Sequence, residues 1–259
     1  MASLSRRFLN LIVDNRTPGA KSLRCIDLTR QHFFDTTPAQ QSNGNGSESK
    51  GPVDAGNQKN KVAEEALMME RILLPKPIFN FGVATMTTHM AMNCFLLAGR
   101  KVLCSDQLGR TFLFDADTCN VVTMPDLHKP KRWPLSLFVP SVCMDGHNDS
   151  GGGHLFIMET IVKSEARCSG QHSDQFEAIV YRKPTATSSC QLLPPPPFVF
   201  DPKFADKRTK INSYAVINGG SEICISVEGA GTYCFDTVKH TWRHVGEWTL
   251  PFHGKVDLS

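Results

Sequence analysis

The chain has 259 residues, of which 41% are apolar, 20% charged and 8% aromatic, and its net charge is +3. That apolar share and small net charge exclude a chain that is disordered throughout, and no apolar run approaches the roughly 20 residues of a membrane-spanning helix. Nucleic-acid binding is excluded because the basic excess is slight: Lys129, Lys131 and Arg132, and Lys203, Lys207, Arg208 and Lys210, read as solvated loop charge and not as a phosphate-binding patch.

In chain order, the first predicted element is a strand from Arg6 to Val13. Its apolar stretch is too short for a secretory leader, and Asp14 follows at once. The acid-free, Ser- and Arg-containing start fits a strand better than a mitochondrial transit peptide. Residues 1–35 thus hold the opening strands. Residues 36–61, TTPAQQSNGNGSESKGPVDAGNQKNK, have almost no large apolar side chain. Such a segment cannot offset its ordering entropy and is expected to be a disordered insertion. A short helix is predicted over 62–70.

Beyond it, short runs rich in Val, Ile, Phe, Thr and Tyr are bounded by Gly, Pro, Asp and Asn. They predict strands at 94–98, 101–105, 111–114, 155–160, 176–181, 213–217, 223–227 and 232–235. Nothing after residue 72 sustains a 3.6-residue period, so the class is all-β.

A repeat organises these strands. Shifting the chain by 121 residues aligns KVLCSDQLGRTFLFDADTCNVV, from Lys101, with EICISVEGAGTYCFDTVKHTWR, from Glu222. Each copy gives a strand, a Gly-containing turn, a second strand ending in Phe-Asp, and a third strand. Asp115 and Asp236 close their turns by accepting backbone N–H groups, and Asp27 does so in a weaker copy. An apolar residue followed by Pro recurs at Leu74-Pro75, Met124-Pro125, Leu193-Pro194 and Leu250-Pro251, as expected where an outer strand ends. Strand groups at this period predict a β-propeller of about four blades. Residues 1–35 then open the first blade, and 62–259 supply the rest.

GGSEICISVEGAGTYCFDTVKHTW, Gly219 to Trp242, resembles a kelch repeat. Gly219 and Gly220 form the glycine pair that allows a tight turn at positive φ. Tyr233, Phe235 and Trp242 are the aromatics expected between neighbouring blades. RRFLNLIVDN, SLRCIDLTRQ, FLFDADT, PLSLFVPS, FEAIVYRKPT and GEWTLPFHGKV resemble a domain-of-unknown-function family of uncharacterised grass proteins. The likeness covers most of residues 4–256. It implies a cytosolic or nuclear plant propeller of kelch-like type, and it supplies no catalytic residues. Members of that group run on past the point where this chain stops. An incomplete ring is therefore expected, an open arc whose last blade displays Val216, Ile223, Ile225 and Tyr233.

The chemistry expected is sparse. Nine cysteines include no Cys-x-x-Cys pair. Cys25, Cys104, Cys224 and Cys234 fall in apolar runs and read as free, buried thiols, which fits a reducing compartment. A copper oxidase of the galactose-oxidase type needs two tyrosines at its metal, and of Tyr181, Tyr214 and Tyr233 the first and last are taken up as blade packers. His240 and His244 read as turn and surface residues, and His147 and His154 as loop residues. No catalytic residue, cofactor or metal site is expected. The functional expectation is a protein-interaction module with an unidentified protein partner or a second copy docked on an uncovered blade. An enzyme in the propeller mouth and a truncated product without independent function are the competing classes.

Overall fold

A computed structural model describes residues 8–16, 20–30, 73–82, 92–97, 100–141, 152–165, 173–182, 187–205 and 207–257. The insertion expected over 36–61 and the helix expected over 62–70 lie outside the described residues.

Four sheets follow one another along the chain. The first holds β1 (Phe8–Asp14), β2 (Lys21–Asp27) and β3 (Phe79–Phe81). The second holds β4 (Asn93–Leu96), β5 (Lys101–Ser105), β6 (Thr111–Asp115) and β7 (Asn120–Met124). The third begins with β8 (Pro134–Pro140) and β9 (Gly153–Glu159), after which β10 (Ile161–Lys163) leaves for the next sheet. β11 (Phe176–Tyr181) and β12 (Ser189–Leu192) complete the third. The fourth runs β13 (Arg208–Ile217), β14 (Glu222–Val227), β15 (Gly231–Asp236) and β16 (Thr241–Gly246), and β13 also pairs with β10 and with β17 (Gly254–Asp257). All pairs are antiparallel except β13 with β17. No α-helix occurs among the described residues.

Strand alternation explains how the sheets stack, because successive side chains leave a strand on opposite faces. In β5, Val102 and Cys104 join Leu23 and Phe81 of the first sheet, whereas Leu103 joins Leu155 and Ile157 of the third. In β9, Leu155 and Ile157 face the second sheet, and Phe156 and Met158 face the fourth. Strands buried on both faces read as near-continuous apolar runs, which is why β9 and β11 are legible as HLFIME and FEAIVY. Apolar seams join first to second, second to third and third to fourth sheets. No such cluster joins fourth to first among the described residues, and the arrangement is an incomplete propeller. A hollow of about 180 Å³ is lined from all four sheets, by Ile12, Lys21, Asn93, Ser136 and Tyr214 among others, and marks the axis.

Three expectations are corrected. Ile223, Ile225 and Tyr233 are not displayed: they are buried against the third sheet, and Val216 packs beside them. The opposite face of the fourth sheet carries Ser213, Ser226 and Thr232 instead. It is crossed by the segment 247–253. Thr232 Oγ1 donates to Trp248 O at 2.7 Å, Ser226 Oγ accepts from Leu250 N–H at 2.9 Å, and Ser213 donates to Phe252 O. Second, Cys224 and Cys234 are not free thiols. They face each other across β14 and β15, 4.2 Å apart at Cα, and form a disulfide. Cys25, Cys94, Cys104, Cys119 and Cys190 are free. Third, Lys131 is not solvated loop charge: its side chain is fully buried against Glu177.

Candidate functional site

The stretch from Gly219 to Trp242 packs against the third sheet. Gly219 and Gly220 turn the chain from β13 into β14 at φ of 64° and 100°. A Cβ on Gly220 would lie 2.7 Å from Val139 Cγ1 of the third sheet, so the position excludes a side chain on both counts. Phe235 is fully buried, with its ring centroid 5.0 Å from Phe176 and 4.9 Å from Trp242. Trp242 is half-buried on Phe176, and its indole N–H donates to Pro194 O at 2.8 Å. Tyr233 packs on Phe198 and His244.

The three aspartates sit in turns. Asp27 accepts Thr29 N–H at 3.0 Å, Asp115 accepts Asp117 N–H at 3.0 Å, and Asp236 accepts Val238 and Lys239 N–H at 2.9 and 2.7 Å. The Lys239 N–H, the largest influence, holds the Asp236 carboxyl below the usual carboxylate range. For Asp115, slight burial works the other way but is outweighed by the Asp117 N–H and by Lys101, so its carboxyl is also lowered. These residues build turns and are not gathered into a site.

At one end of the seam between third and fourth sheets lies a cleft of about 600 Å³. It is formed where β8, β11, β12 and the turns β13–β14 and β15–β16 end together. His154, Arg182 and His240 line it, with Ser141, Ser189 and Val238, and among the described residues no acidic side chain does. Burial pushes the His154 imidazole down, helped by the charges of His240 and Arg182. Its Nδ1 is buried without a hydrogen-bond partner among the described residues. His240 sits in the β15–β16 turn at a φ of 54°, its ring over Phe235. Val238 beside it is 81% exposed. The cleft combines positive charge, hydroxyls and an apolar lip.

A second constellation was not anticipated from the sequence. Glu177, fully buried in β11, accepts His128 Nδ1–H at 2.7 Å and His128 backbone N–H at 2.9 Å through Oε2. Lys131 pairs with Oε1. Cys190 of β12 donates to Oε2 at 3.3 Å and lies 3.8 Å from His128 Nδ1. Cys190 pairs with Ile179, two residues from Glu177, so thiol and carboxylate share a face diagonally across β11 and β12. Burial alone would raise the Glu177 carboxyl, but Lys131 and the His128 N–H hold it below the usual range. Burial, and then the Glu177 charge, pushes the Cys190 thiol up to about 12. The one sequence signal for this cluster was a charged residue inside the otherwise apolar run FEAIVY.

Residues 6–258 match the family described as protein of unknown function (DUF1668). No curated protein matches the chain. Among solved structures, the chain is similar to the β-propeller domain of Myceliophteria thermophila Cps50 (Swd1), at 11% identity and a TM-score of 0.38. That likeness covers 66% of this chain, which spans 45% of the other.

Proposed function

We propose that this chain, which belongs to the DUF1668 family of proteins of unknown function, is a non-enzymatic protein-interaction module with kelch-like blades. Its partner is an extended protein segment carrying an acidic side chain, held in the cleft between third and fourth sheets. The observation that supports this reading is the lining: Arg182, His154 and His240 face the cleft, and among the described residues no carboxylate does. Arg182 is exposed and free to form a two-pronged pair with a carboxylate. Val238 offers apolar surface at the rim, where a neighbouring side chain of the ligand can rest. Loops at blade ends are the usual place for such recognition, since a rigid scaffold leaves them free to vary.

The test is selection of peptides from a random displayed library, with affinities of enriched peptides then measured against wild type and Arg182→Ala/His240→Ala. Enrichment of acid-containing peptides whose binding weakens in the double variant and at raised salt is expected. Absence of enrichment, or equal binding to the double variant, overturns the reading.

A further inference from the structure

We infer that His128, Glu177 and Cys190 form a zinc site with three protein ligands and one open position. Three donor atoms of different chemistry converge there: an imidazole nitrogen, a carboxylate oxygen and a thiol sulfur, separated by 2.7, 3.3 and 3.8 Å. Tetrahedral zinc with bonds of about 2.0–2.3 Å places its donors roughly 3.3–3.7 Å apart. The observed separations straddle that range, and no donor pair needs to change by more than about 0.7 Å to fit it. Zinc would take the place of the Nδ1 and Sγ protons that now point at Oε2.

The geometry distinguishes a metal site from a nucleophile. In a Cys-His-acid triad the acid holds one ring nitrogen while the thiol meets the other. Here Glu177 and Cys190 both lie against the same nitrogen, Nδ1. Convergence on one point is the geometry of ligands around an ion. The surroundings resemble a ligand shell held from behind. Lys131 occupies Oε1 and the His128 backbone N–H fixes Oε2, so the carboxylate is aimed before any ion arrives. The Lys131 pair already neutralises the buried Glu177, and His128 and Cys190 are additional to that need. The His128 side chain is 45% exposed, which leaves the fourth position open to water or an external ligand. A mixed N, O and S set favours zinc over harder cations.

Cobalt(II) is the probe, because bound to a thiolate in a tetrahedral site it gives a charge-transfer band and intense visible bands. Titration of the purified full chain should show one equivalent bound and displaced by zinc. Cys190→Ser should abolish the charge-transfer band, and His128→Ala should weaken binding at least roughly tenfold. Both metal-free variants should remain folded by circular dichroism, since neither removes the Lys131–Glu177 pair, so a lost band reports lost ligation. No thiolate band in the wild type, or an undiminished band in Cys190→Ser, overturns the inference.

Discussion

The seams at the two ends of the arc are built differently. Between third and fourth sheets, eighteen buried residues surround the interlocked rings of Phe156, Phe176 and Phe235, with Trp242 against them. Between first and second sheets the cluster has seven among the described residues, with Phe79 stacked 4.0 Å from Phe114. The fourth sheet is also closed by a disulfide and crossed by the 247–253 segment. The second sheet carries the same cysteine arrangement unbonded: Cys94 and Cys104 directly opposed, Sγ atoms 3.6 Å apart. One end of the arc therefore combines apolar burial with covalent and polar cross-links. The other rests mainly on apolar contact, and its strands should open first.

The largest effect should come from Phe235→Ala. Losing a fully buried ring at the stronger seam should cost about 3–5 kcal/mol in denaturant unfolding. Phe79→Ala, at the weaker seam and half-buried, should cost about 1–2 kcal/mol. Equal costs would erase the contrast, and faster hydrogen exchange in β14 than in β2 would invert it. Next in size is the disulfide, which closes a loop with a sequence separation of 10. Cys224→Ser with Cys234→Ser should cost roughly 2–3 kcal/mol under oxidising conditions. Cys94→Ser with Cys104→Ser breaks no covalent bond and should leave a smaller, redox-independent loss.

Gly220→Ala should cost about 1–3 kcal/mol, because it combines positive φ with the approach of Val139. Gly219→Ala meets open space and should cost less, near the roughly 1 kcal/mol of the backbone conformation alone. The smallest expected effect is on acid sensitivity. Folded Asp115 and Asp236 carboxyls lie below their ordinary value. Their contribution is complete above an unfolded value of about 3.9 and is lost as pH falls through the lower folded value. Asp236→Asn should flatten the fall of the urea midpoint between about pH 5 and pH 2, and an unchanged slope would show the turn to be idle.

Much of this contrast was legible in the sequence. β5, β11, β14 and β15 stand out as runs punctuated by turn residues, and the 121-residue repeat aligns β5–β7 with β14–β16. The short β3, β10 and β17 were not legible, since three or four residues carry no period. The direction of the fourth sheet's faces was misread because alternation does not say which neighbour covers which side. Ser213, Ser226 and Thr232 were the clue that one face would be closed by hydroxyl bonds to crossing chain. The His128–Glu177–Cys190 cluster had no local signature. Its members lie 49 and 13 residues apart and meet only through strand pairing and a loop.

β10 has a mechanical consequence. After β9 the chain steps sideways, and Ile161, Val162 and Lys163 pair with Lys210, Thr209 and Arg208 of the neighbouring sheet. Ile211 N–H adds a bond to Thr160 O at 2.9 Å. The two sheets that frame the cleft are therefore basted together by backbone, like two boards joined along one edge. That stitch lies at the end of β13 opposite the Gly219–Gly220 turn, so it ties the root of the seam and leaves the mouth of the cleft to side-chain packing. A chain entering there presses on jaws hinged at their far end, and parting the two sheets further would cost the backbone bonds of β10.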